Sequence, residues 1–142
     1  MTVHLIKLCV GAETPEYLRE WQAGLIEDRI ARGLPPLAYH DTRAIPKRID
    51  ELLDGGSLYW VIRRRIQVRQ RILSIEKVED SDGRSHCRIF LDPDIIEVQR
   101  RGKRPFQGWR YLESDDAPRD LSAAPGQIRA DLEVALKDAL VW

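Results

Sequence analysis

The stretch from Arg65 to Val78 (RIQVRQRILSIEKV) constrains the fold more than any other part of the chain, because its apolar side chains alternate and then change phase. Ile66, Val68 and Ile72 share one parity, while Arg65, Gln67, Arg69 and Arg71 share the other. In an extended chain, residues two apart lie on the same side. The spacing therefore predicts a half-buried strand with those polar groups together on its outer face. At Ile72-Leu73 the phase slips, and Leu73 and Ile75 are now apolar at odd positions. A one-residue slip turns every later side chain to the other face, so the backbone needs a bulge or a strong bend there. Strongly curved sheets and small barrels use such a device.

The flanking segments supply partners for that strand. Ser57 to Ile62 (SLYWVI) has the branched and aromatic composition of a strand, and His86 to Leu91 (HCRIFL) returns as a hairpin after the turn from Glu79 to Gly83. Val3 to Val10, Leu37 to Thr42 and Ile95 to Val98 read as further short strands, whereas Pro105 to Leu112 (PFQGWRYL) has no clean period and reads as an ordered loop or strand end. Thr14, Pro15 and Glu16 open a helix on which Leu18, Trp21 and Leu25 recur at helical spacing, and Gly33 with Pro35-Pro36 ends it. Trp21 is expected in the core. Pro46 to Leu53 (PKRIDELL) predicts a second helix, and Ile128, Leu132, Ala135, Leu136 and Ala139 form the apolar stripe of a last one. Strands clustered between helices give an α+β chain, either a small curved antiparallel sheet or a β-barrel, flanked by N-terminal and C-terminal helices. Its 142 residues predict a single domain over 1–142.

Two cysteines, Cys9 and Cys87, occur without CxxC spacing, and the apolar run at Leu5 to Val10 is too short for a signal peptide or a membrane span. The expectation is a cytoplasmic protein with reduced thiols and no membrane partner. The formal charge is zero overall, yet from Arg43 to Arg110 there are 16 Lys/Arg against 10 Asp/Glu, and elsewhere 7 against 13. A local field of that sign attracts polyanions whatever the total.

Arg63, Arg64, Arg65, Arg69 and Arg71 form one basic group, and Arg100, Arg101, Lys103, Arg104 and Arg110 form another. Guanidinium groups stay charged and donate paired hydrogen bonds to phosphate. The aromatic residues Tyr59, Trp60, Phe106, Trp109 and Tyr111 are interleaved with them, and an unstacked base gains about 1–3 kcal/mol on such a ring. Tyr59 and Trp60 point to opposite sides of a strand, and Trp60 is expected inside. His86 and Cys87 also face opposite ways and cannot share a metal, and the chain contains no GxSxG, P-loop, HExxH or GxGxxG. No metal or cofactor is expected. A weaker catalytic set is Thr42, Lys47 and Glu51, with Lys47 and Glu51 four apart on the second helix and Lys47 as a base. The plain alternative for that pair is an ordinary i,i+4 ion pair.

The block TRAIPKRIDELLDGGSLYWVIRRRIQVRQR from Thr42 to Arg71, with PFQGWRYL, VHLIKLCVG and the LDP at 91–93, resembles an alphaproteobacterial family known as domain of unknown function 1489. That family reads WVIKG and IQCRQR where this chain has WVIRR and IQVRQR. Arg64 in place of the glycine puts a tight turn in doubt, and Val68 in place of the cysteine removes a thiol. The resemblance implies a shared fold and a bacterial cytoplasmic setting, and no reaction. Thr42-Arg43, Lys47-Arg48, Gly55-Gly56 and the strand from Leu58 are also similar in order to the PUA group of small barrels, which implies RNA or modified bases as ligands.

The resulting expectation is a PUA-like domain binding RNA or a nucleotide, with phosphates at Arg43, Lys47, Arg65, Arg69, Arg71 and Arg104 and a base at Trp109 and Phe106. Arg48, Gln67, Gln107 and Arg110 complete the expected set. The alternatives are a small hydrolase or nucleobase-modifying enzyme at Thr42, Lys47 and Glu51, and a protein-interaction domain for an acidic partner.

Overall fold

The computed structural model describes residues 1–121, so the expected C-terminal helix lies outside the described residues. β1 (Val3–Leu8) leads to α1 (Pro15–Ala31), β2 (Ala38–Thr42) and the short α2 (Ile49–Leu53). β3 (Ser57–Ile62), β4 (Arg65–Glu79), β5 (Ser85–Leu91), β6 (Ile96–Gly102) and β7 (Trp109–Glu113) follow, then a 3-10 turn at Ser114–Asp116. The seven strands form one sheet in the order β2-β5-β4-β3-β1-β7, with β6 also on β4. The class is α+β, as expected. Two finer expectations change. The sheet is mixed, because the long connection through α1 and α2 returns β3 parallel to β1. The strand path is also open and does not close into a barrel. Among the described residues no helix is long and apolar enough to cross a membrane.

β4 organises the sheet: its first half pairs with β3 and β6, and its second half pairs with β5. The register runs Ile72↔Leu91 and then Ser74↔Phe90, which leaves Leu73 as the extra residue at the expected slip. A second irregularity overturns the single polar face. Val61 pairs with Ile66 and Trp60 with Val68, so Gln67 is unpaired and the parity changes there too. Ile66 consequently packs with Ile6, Tyr59, Val61, Val98 and Phe106, whereas Val68 packs with Leu58, Trp60 and Ile62 on the opposite face. Arg69 and Arg71 lie beside Tyr59 and Ser57, while Arg65 lies beside Ile62 on the other side. Both faces of this half of the sheet carry core, and every residue of β3 is buried.

Thr14 caps α1 as its composition predicts, its Oγ accepting the Tyr17 N–H at 3.1 Å, with Pro15 at the start of the helix. Trp21 is not core: it is 49% exposed, and the inward stripe runs through Leu18, Gln22 and Arg29. The polar residue wins because its amide has a buried mate. Gln22 Nε2 donates to Gln70 Oε1 at 2.8 Å, and Gln70 Nε2 donates to Gln22 Oε1 at 2.6 Å and to the Asp92 carbonyl at 3.0 Å. Trp60 Nε1 donates to the same Gln70 oxygen at 2.9 Å, and Trp60 is buried as expected.

α2 begins at Ile49, so Lys47 precedes the helix and makes no i,i+4 pair within it. The β3–β4 turn is tight despite lacking glycine, with Arg63 and Arg64 both left-handed at φ 52° and 64°. That conformation costs an ordinary L-residue roughly 1–2 kcal/mol.

Candidate nucleic-acid interface

The two basic groups meet. β4 and β6 pair Arg65 with Gly102 and Ile66 with Arg101, and the Lys103 N–H donates to the Arg64 carbonyl at 2.8 Å. The β3–β4 turn, carrying Arg63 and Arg64, therefore lies against the end of β6, carrying Arg101, Lys103 and Arg104. Arg63, Arg64, Arg101 and Arg104 are exposed. Arg63 reaches Glu13 at 3.3 Å, but both side chains are mostly in solvent, where such a pair contributes little. Arg101 donates to the Asp116 backbone carbonyl. Among the described residues, no carboxylate pairs with Arg64, Lys103 or Arg104. Phe106 is core beneath this lobe, 9% exposed, with the Arg110 guanidinium 4.9 Å from its ring centre and Lys103 at 6.0 Å. Its ring is taken by cations and is not a platform for a base.

A separate cavity of about 610 Å³ lies between Lys7, the loop after β2 and the start of β7, lined by Asp41, Thr42, Arg43, Gln107, Gly108 and Trp109 among others. Trp109 opens β7, where the lack of a clean period predicts a loop or strand end, and it pairs with Lys7 of β1. Its indole N–H donates to the Ala44 carbonyl at 2.9 Å, and its ring meets Tyr111 edge-on at 5.0 Å. The Tyr111 hydroxyl in turn accepts the N–H groups of Lys47 and Arg48 at 2.9 and 3.1 Å. The indole is thus fixed before any ligand arrives. Lys7 was not foreseen; its position in an apolar run reads as an interruption of a strand, and only β1–β7 pairing sets it opposite Trp109. Burial lowers its pKa from the usual lysine value. His40, edge-on to Trp60 at 5.0 Å, is pushed down to about 4 by burial and then by the Lys7 charge. Asp41 is already engaged: Arg88 holds both its oxygens at 2.8 and 3.0 Å, and His86 lies at 3.3 Å.

Arg69 belongs to neither place. Its Nε and Nη2 hold the two Asp120 oxygens at 2.7 Å each, and its Nη1 donates to Ser57 Oγ at 2.9 Å. With His4, Tyr59 and Ser114 it lines a third hollow of about 420 Å³. Side-by-side partners share a face. Arg69, Tyr59, Ile6 and Arg110 form one row across the sheet, and Val68, Trp60, Lys7 and Trp109 form the next. Neighbouring rows project oppositely, so Arg69 and Trp109 are on opposite faces and cannot serve one binding site together.

Of the other expected residues, Arg43 and Gln107 line the cavity, and Arg71 is exposed away from it. Gln67 closes its own bulge by donating to the Ile62 carbonyl at 2.6 Å. Arg48 is held by Glu51 at 2.7 and 2.9 Å and by Glu113 at 2.9 Å. Thr42 lines the cavity, Lys47 is exposed outside its lining, and Glu51 is occupied by Arg48, so the three do not assemble into a catalytic set.

An α+β domain with an open mixed sheet, a cationic lobe at one hairpin and a tryptophan-lined cavity is the class of protein that emerges. The chain belongs to the family described as a protein of unknown function, DUF1489, whose model matches residues 5–141. No curated protein and no solved structure matches it.

Proposed function

We propose that this chain is an RNA-binding domain of PUA-like type, which grips the backbone of single-stranded RNA on the lobe formed by Arg63, Arg64, Arg101, Lys103 and Arg104. What supports the reading is the meeting of two basic segments distant in sequence through β4–β6 pairing and the Lys103–Arg64 hydrogen bond. Like charges brought together cost energy unless a counter-charge is near. Two of these arginines also sit in a disfavoured backbone conformation, so the segment sacrifices stability to display them. The order of β1, α1, β2, α2 and β3, and the register shift of β4 at Leu73, support the PUA-like reading.

The binding set moves with the geometry. Arg69 and Arg48 leave it because carboxylates hold them, and Arg63, Arg64, Arg101 and Lys103 enter. Each phosphate neutralised on a single strand contributes about −0.7 to the slope of log affinity against log salt, so four or five contacts give roughly −3. Labelled single-stranded RNA titrated between about 50 and 200 mM salt tests this. The combined variant Arg64→Gly, Arg101→Ser, Arg104→Ser should shallow the slope by about 2. A flat slope, or no binding at the lowest salt, rejects the reading.

A further inference from the structure

We propose that the cavity beside Trp109 is a subsite for a single nucleotide unit, its base against the indole and its phosphate between Lys7 and Arg43; this rests on the RNA-binding reading and names what the second site takes. Three chain segments that are far apart in sequence contribute to it, and their contributions are complementary. β1 supplies Lys7, the end of β2 and the loop after it supply Thr42 and Arg43, and the start of β7 with the residues before it supplies Gln107, Gly108 and Trp109. At about 610 Å³ it falls within the size range of small-ligand pockets.

The charge of the cavity is positive in effect. Among the described residues Asp41 is its one acidic lining residue, and Arg88 already takes both oxygens of that carboxylate. Among the described residues no carboxylate pairs with Lys7, although the side chain is only partly exposed. A half-buried cation without a counter-charge is unfavourable, and an anion seated beside it relieves the cost. The direction of the Lys7 pKa agrees with this.

The flat component follows from Trp109 and Gly108. The indole is fixed by the Ala44 carbonyl and by Tyr111, so little side-chain entropy is lost when a ring stacks on it. Gly108 has φ +69°, and the space where its Cβ would stand is open, so a planar group can approach the backbone closely. Gln107 can both donate to and accept from a base edge.

The cavity is also joined to the lobe along the chain. The segment from Arg104 to Trp109 links them and spans at most roughly 18 Å when extended. Backbone held on the lobe can therefore deliver one residue of the strand to the cavity.

The experiment is calorimetric titration of the full chain with the four nucleoside 5′-monophosphates, the matching nucleosides and inorganic phosphate, alongside the labelled single-stranded RNA. At least one monophosphate should bind more tightly than its nucleoside and than phosphate. Lys7→Met and Arg43→Ala should each weaken it about tenfold or more, and Trp109→Leu likewise. Arg43 is exposed, so its variant stays informative if replacement of Lys7 unsettles the fold. Loss of monophosphate binding with salt-dependent RNA binding intact overturns the subsite and leaves the RNA reading standing. Monophosphate binding without any RNA binding does the reverse. Monophosphate affinity untouched by both Lys7→Met and Arg43→Ala, or no greater than that of phosphate, also overturns the subsite.

Discussion

Replacing Gln70 tests the structure where its accounting is tightest. The side chain is wholly buried and makes four hydrogen bonds: its oxygen accepts from Trp60 and Gln22, and its nitrogen donates to Gln22 and the Asp92 carbonyl. Gln70→Leu keeps the volume but leaves the indole N–H, the Gln22 amide and one backbone carbonyl without partners. Each net hydrogen bond contributes about 1 kcal/mol, and each buried group left unpaired costs about 1–3 kcal/mol. The loss should therefore be about 4 kcal/mol, a large share of a total that is typically 5–15 kcal/mol. Gln22→Leu removes only the reciprocal pair and should cost about 2 kcal/mol. The double variant should then cost about 1–2 kcal/mol less than the two singles added, because the Gln22–Gln70 pair is lost only once. Urea unfolding of the four proteins with equal m-values gives these differences directly. A loss below about 1 kcal/mol for Gln70→Leu, or strict additivity, would refute the reasoning that this network sets the phase of α1.

Three further outcomes are expected. Arg64→Gly relieves a left-handed arginine and should raise stability by about 1 kcal/mol while weakening RNA binding at low salt; a melt showing destabilisation contradicts the strain argument. Gly56→Ala would drive a methyl group into the backbone carbonyls of Leu52 and Val3, neither of which can swing away, and should cost more than about 3 kcal/mol by chemical denaturation. His40 has its folded pKa pushed down to about 4, below the unfolded value of about 6.5, so the fold requires the neutral ring. Its contribution is complete above pH about 6.5 and is lost as pH falls towards 4, about 3 kcal/mol in all; His40→Phe should flatten that part of the stability profile, and an unchanged slope would exclude His40 as its source. His4 is lowered in the same direction by burial and then by Arg69, so a smaller slope of the same sign remains.

The local signals along the chain carried most of the fold. The Thr14-Pro15 opening of α1, the hairpin turn before β5, the burial of Trp60 and the irregularity at Leu73 are all decided by neighbours in sequence, through capping, turn chemistry and period. The sequence also located the two basic segments, and their meeting follows from pairing of the strands that bear them. What it misplaced depends on partners far along the chain. Hydrophobicity alone put Trp21 inward, but the Gln22–Gln70 bond rotates α1 by one position. Strict alternation put Arg65, Gln67, Arg69 and Arg71 on one face, but a bulge at Gln67 is visible only as a register shift against β3.

Only the tertiary structure could separate Arg69 from Trp109 and bring Lys7 to Trp109. Which face a side chain occupies can be read from the period of its strand only where no bulge interrupts the pairing. Which side chains meet across strands depends on register and strand order, and those are set by the summed packing of the whole sheet.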